Sequence, residues 1–155
     1  GEINCKIGKN VADASRASGI LGLFLGGEIK NVYNVGKLNI FSNGTQVFVG
    51  GVSGVARGNI ECAYNTGYID NVNQASNCYI GELFGTTINN ASSSNVFYFA
   101  NEPIGDNSTS SSVTNKVTSE QLKSDEILNL LNQNGVVWKK DTSNINNGYP
   151  IFTWQ

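Results

Sequence analysis

Ile29-Lys30-Asn31-Val32-Tyr33-Asn34-Val35-Gly36 is answered 31 residues later by Ile60-Glu61-Cys62-Ala63-Tyr64-Asn65-Thr66-Gly67, and this pair decides the fold. A degenerate third copy, Asn95-Val96-Phe97-Tyr98, follows Tyr64 by about one further period. Between the copies a second motif recurs, Gly-x-apolar-x-Gly. It reads as Gly22-Leu23-Phe24-Leu25-Gly26, Gly50-Gly51-Val52-Ser53-Gly54 and Gly81-Glu82-Leu83-Phe84-Gly85, with first glycines 28 and then 31 residues apart. Gly8, Gly36 and Gly67 keep the same two intervals. Two motifs recurring in step are the mark of stacked coils, none of which can bury its apolar face alone.

Outward from that pair the chain reads as short strands. Val47-Phe48-Val49 is β-branched and aromatic and ends on Gly50, and Asn43-Gly44 marks a turn. A period near 30 residues suits a parallel β-helix coil of two or three strands with corners, so residues 1–105 are expected to form about three coils of a right-handed β-solenoid. At about 4.8 Å per coil this part stands roughly 15 Å tall. Tyr33 and Tyr64, with Phe97 as third member, are expected to stack inside and fix the register. Asn34 and Asn65 are expected to form a short polar ladder at a corner.

From Asp106 to Asn115 the chain turns to Ser, Thr and Asn, and 106–117 reads as a loop. Then the period changes. Thr118-Ser119-Glu120-Gln121 fits a capping box, and Ser124-Asp125-Glu126 is a second helix start. Leu122, Ile127, Leu128, Leu130 and Leu131 supply an apolar face, and Gly135 a stop. Val136-Val137-Trp138 and Ile151-Phe152-Thr153-Trp154 read as strands around the turn Asn146-Asn147-Gly148-Tyr149-Pro150. The segment 118–155 is expected to close the open end of the last coil, with Leu128, Leu131, Trp138 and Trp154 packed there.

Composition narrows function. The 155 residues carry a net charge of −2 with 14% charged residues, which argues against a nucleic-acid surface. Asn is the most frequent residue, poor material for helices and good material for turns. No apolar run is long enough for a membrane span, so no membrane insertion is expected. With no Met and Gly1 at the start, the sequence reads as a piece of a longer chain, with further repeats or another domain on its N-terminal side. Cys5, Cys62 and Cys78 cannot all pair; buried free thiols are the main reading and a Cys62–Cys78 bridge the alternative. No His is present, so neither a zinc site nor a His-based nucleophile is expected.

The run from Val47 to Gly67 resembles the GLUG-type repeat of bacterial surface proteins, including the repeat regions of immunoglobulin-A-cleaving metallopeptidases and of large adhesin-like proteins. The tail, with its helix from Thr118, Trp138, Asp141 and Asn147-Gly148-Tyr149-Pro150-Ile151, resembles what ends such arrays. Cys5-Lys6-Ile7-Gly8 departs from the pattern by lacking the Tyr-Asn pair. The resemblance implies a non-catalytic module of a secreted or cell-wall-associated bacterial protein, a stalk or adhesion surface, without cofactor or metal. Host or matrix protein or glycan would be its partners. The alternative is a carbohydrate-binding module or a glycan-active β-helix enzyme. For that reading Asp13, Asp70, Asp106 and Asp141 are scattered, and Glu82 is expected to be a solvated strand residue rather than an acid catalyst. Tyr68 and Tyr79 stand outside the repeat phrases and are the candidate binding residues. The Asp and Asn spacing fits no repeat-borne calcium site.

Overall fold

The computed structural model describes residues 1–8, 14–43, 46–72, 78–88, 91–99 and 115–155. Among the described residues the strands follow one another in three passes along the same four sides. The first pass is β1 (Glu2–Ile7), β2 (Ser15–Ser18), β3 (Leu21–Phe24) and β4 (Glu28–Asn34). The second is β5 (Lys37–Ser42), β6 (Val47–Gly50), β7 (Ser53–Ala56) and β8 (Asn59–Asn65). The third is β9 (Ile69–Asn71), β10 (Cys78–Gly81), β11 (Phe84–Thr87) and β12 (Ser92–Tyr98). Each side is a parallel sheet: β1-β5-β9, β2-β6-β10, β3-β7-β11 and β4-β8-β12. The architecture is a mainly β, β-helix-like solenoid.

Four strands per pass replaces the expected two or three, and the register corrects the first glycine alignment. Leu21 pairs with Ser53 and Ser53 with Phe84, so Gly22 answers Gly54 and Gly85, not Gly50. The partner of Gly50 in the first pass is Ser18. The interval of 28 was a coincidence of two different glycine positions. True intervals are 35 for Glu2 to Lys37, 32 for Ser15 to Val47 and 31 for Glu28 to Asn59. Cys5-Lys6-Ile7 therefore lacks a Tyr-Asn pair because it belongs to the β1-β5-β9 side, opposite Ile40-Phe41-Ser42.

The interior has two lobes. Leu38, Ile40, Val49, Ile69 and Ile80 fill the one between the first two sides, and Val52, Ile60, Ala63, Phe84 and Val96 the other. Where the second and third sides approach, a Cβ on Gly54 would lie 2.7 Å from the Gly22 carbonyl oxygen and 2.8 Å from that of Phe48. Only glycine permits that contact.

After the passes come β13 (Asn115–Lys116), α1 (Ser119–Leu122), α2 (Asp125–Leu131), β14 (Trp138–Lys139) and β15 (Ile151–Phe152). Within the expected loop, β13 is a strand and adds in parallel to β12; residues 106–114 lie outside the described residues. The capping box forms: the Gln121 amide donates to the Thr118 hydroxyl at 3.2 Å and the Thr118 amide to the Gln121 side chain at 2.8 Å. Two short helices result, β14 and β15 pair antiparallel, and the strand expected to reach Trp154 ends at Phe152.

Candidate functional site

The most organised surface of the solenoid is the outer face of β4-β8-β12, and one backbone feature creates it. Asn31, Cys62 and Asn95 hold equivalent places in the three strands, and all sit in the left-handed region at φ of 53°, 54° and 53°. Each is a residue left over between paired neighbours: Lys30 pairs with Glu61 and Val32 with Ala63. The extra residue resets the in-out alternation. Ile29 and Val32 pack with the interior lobe, whereas Tyr33 belongs to an external cluster. Asn tolerates this conformation well; Cys62 is the exception among the three.

The tyrosines consequently stack outside the coil, not inside. Tyr33 and Tyr64 are register partners with ring centroids 5.1 Å apart and an interplanar angle of 14°. Phe97 pairs with Tyr64 as the third rung. The C-terminal segment lies over this row. Trp138 meets Tyr33 at 5.8 Å, Tyr64 at 5.6 Å and Phe152 at 4.5 Å, and Leu122, Ile127 and Leu131 complete the cluster. The segment therefore covers the side of all three passes and does not close the end of the last coil, as its helical pattern alone suggested. Trp154 is likewise not packed in the cover: it is 72% exposed, with one face on Phe152 at 4.6 Å.

Single polar contacts position this cover. Trp138 Nε1 donates to the Asn31 side chain at 3.0 Å, and the Asn95 side chain donates to Gln133 at 2.6 Å. The buried Tyr64 hydroxyl donates to the Pro150 carbonyl at 2.5 Å and accepts from the Asn146 side chain at 2.7 Å. Burial, above all, pushes that phenol far above its ordinary pKa, with Tyr33 beside it adding to the shift. Asp141 accepts from the amides of Ile145 (2.8 Å), Asn146 (2.6 Å) and Gly148 (3.0 Å). Burial opposes its charge, but these amides outweigh it and hold the carboxyl below the usual range. Sequence reading listed Asp141 among scattered acids; its work is to tie a turn.

At the next corner the Asn34 side chain donates to the Asn65 Oδ1 at 2.8 Å, and Asn65 donates on to the Glu82 carbonyl at 2.8 Å. Glu82 itself occupies the corner where the earlier passes carry Gly19 and Gly51. It is not a freely solvated strand residue. Half-buried, its carboxyl is pushed up to about 7 by burial, against the pull of Lys116. Burial raises the Tyr98 phenol, and the nearby Glu82 charge adds to that shift.

The candidate binding residues are on different sides. Tyr68 is exposed at the entrance to β9, with Lys37 Nζ 5.7 Å above its ring; Lys37 also pairs with Asp70 at 3.4 Å. Tyr79 lies in β10, in register with Phe48 and Arg16, and stacks on Phe48 at 5.2 Å. Tyr79 is thus a member of a ladder, which reading of the phrases missed because the aromatic column has Arg in its first pass. Asp13 and Asp106 lie outside the described residues. All three cysteines are free: Cys62 faces the cover and Cys78 an interior lobe, where burial raises its thiol to about 11. Among the described residues no group of three or more His, Cys, Asp or Glu side chains could hold a metal ion. Among them, too, no helix is long and apolar enough to cross a membrane. No protein-family model, curated protein or solved structure matches the chain.

Proposed function

We propose that the chain is a non-catalytic repeat module of the GLUG type, built as a three-coil right-handed β-helix with a lateral C-terminal cover. It belongs to a secreted or cell-wall-associated bacterial protein and serves as a stalk or adhesion surface, with host or matrix protein or glycan as partner. It needs no cofactor, binds no nucleic acid and does not insert into membranes. The observation carrying this reading is how the distinctive polar groups are spent. Asn31, Asn34, Tyr64 and Asn65 hold one pass to the next or the cover to the passes, and Asp141 ties a turn within the cover. A catalytic set instead converges on an open position where a substrate atom sits.

One observation favours the second reading, a carbohydrate-binding module. The Phe48–Tyr79 stack lies on the outside of its sheet with Arg16 in the same column, a flat surface of the kind sugars stack on. A glycan array probed with wild type, Tyr79→Ala and Tyr68→Ala decides between them. The stalk reading expects no specific retention. Binding lost on either truncation establishes the module reading, and turnover of any polysaccharide overturns the non-catalytic one.

A further inference from the structure

The first pass is unfinished on its free side. Among the described residues, strands β1, β2, β3 and β4 each stand at the edge of their sheet, with no strand paired to their outer side. Interior columns end there as well. Ile3 is 44% exposed, while its column partners Leu38 and Ile69 are 1% and 3% exposed. Ile20 is 40% exposed above the buried Val52 and Leu83. These side chains are core residues by position, and uncovered apolar surface of this kind marks a docking face.

Three further observations say what covers it. Asn65 Oδ1 accepts both the Gly67 amide (3.1 Å) and the Asn34 side chain (2.8 Å). Asn34 Oδ1 accepts the Gly36 amide at 3.1 Å, and the place that a preceding asparagine would take on it is unfilled among the described residues. The aromatic cover reaches the edge strand of the same face. Gln155 binds the Tyr33 hydroxyl at 3.0 Å, Phe152 meets the Tyr33 ring at 5.2 Å with the planes tilted by 55°, and the exposed Trp154 stacks on Phe152 at 4.6 Å. Gly1, whose carbonyl accepts the Lys37 amide at 3.1 Å, stands in register with Gly36 and Gly67, the glycines that follow Tyr-Asn-x at the two later corners.

We infer that this face receives one more four-strand coil of the same class, joined to Gly1 through a Tyr-Asn-x-Gly corner. Its aromatic residue stacks on Tyr33 beside Phe152, and its asparagine donates to Asn34 Oδ1. A second copy docking head to tail is disfavoured, because β13 already occupies the far edge of the β4-β8-β12 sheet. The inference rests on register and unfilled partners, and it holds whichever surface function the module serves.

The test extends the full chain by a duplicate of residues 37–66 placed directly before Gly1. A second extension carries Tyr64→Ser and Asn65→Ala in the duplicate only. The first should raise Tm by at least several degrees, slow amide exchange in β1–β4 by about a hundredfold and remain monomeric. The second should lose most of both gains. An added coil that exchanges freely with Tm unchanged overturns the inference, as does equal gain from both extensions. A wild-type chain that already dimerises through this face, with Ile3 and Ile20 protected, assigns it to a second copy and overturns it too.

Discussion

The solenoid passes and the C-terminal cover are held by opposite means. Within the passes contacts are formed between equivalent positions of successive coils: Leu38 lies on Ile69, Tyr33 on Tyr64, Asn34 on Asn65. The cover is held by contacts made once, such as Trp138 to Asn31 and Asn146 to Tyr64. The interior is mainly aliphatic, whereas the seam with the cover sets a row of aromatic rings against aliphatic helix side chains. Repetition makes a structure that any one loss damages little beyond its neighbours, whereas a singular seam concentrates its stability in few side chains.

The seam should therefore break first and hardest at its centre. Trp138 is 1% exposed and touches two passes, so Trp138→Ala should cost about 3–5 kcal/mol in chemical denaturation. Amide exchange should show residues 117–155 released while β5–β8 stay protected. Next comes Leu131, buried in the same cluster; Leu131→Ala should cost about 2–5 kcal/mol and promote association through the uncovered aromatic face. Glu120→Ala, on the exposed side of α1, should leave Tm where it is.

Asn31 joins the two regions, since its backbone belongs to the repeat and its side chain to the seam. Asn31→Ala should cost about 1–3 kcal/mol, because the Trp138 indole loses its acceptor and alanine resists a φ of 53°. Asn31→Gly keeps the backbone and loses only the acceptor, so it should recover part of that cost.

The smallest effect belongs to the repeat itself. At the corner where two passes carry glycine, Glu82 titrates near 7 in the folded chain and near 4.3 when unfolded. Between those values the unfolded chain ionises first, so wild-type stability falls as pH rises. Glu82→Gln should match wild type at pH 4 and exceed it by about 1 kcal/mol at pH 8, the half-buried site keeping the gain modest.

The same contrast governs what could be read from the sequence. Parallel strands, the period and the Tyr33–Tyr64 register were legible because repetition displays them. The first pass was misaligned because Ser18 stands where Gly50 and Gly81 stand later, and Gly22 offered a false match. The outward turn of the tyrosines was hidden by simple alternation, which the left-handed Asn31 and Cys62 interrupt. A shared position occupied by Asn, Cys and Asn was the available signal. The helices of the cover announced an apolar face through Leu122, Ile127 and Leu131, but periodicity says that a face is buried, never against what. The Tyr79 ladder was missed because one rung is Arg16.

The central claim is that the cover lies along the side of all the passes, and Trp138 reports on it directly. Nuclear Overhauser contacts from the Trp138 ring, assigned in uniformly labelled protein, should reach the rings of both Tyr33 and Tyr64, and the indole proton should reach Asn31 in the first pass. Contacts confined to the third pass, at Phe97 and Tyr98, would place the segment over the end of the solenoid and contradict the account.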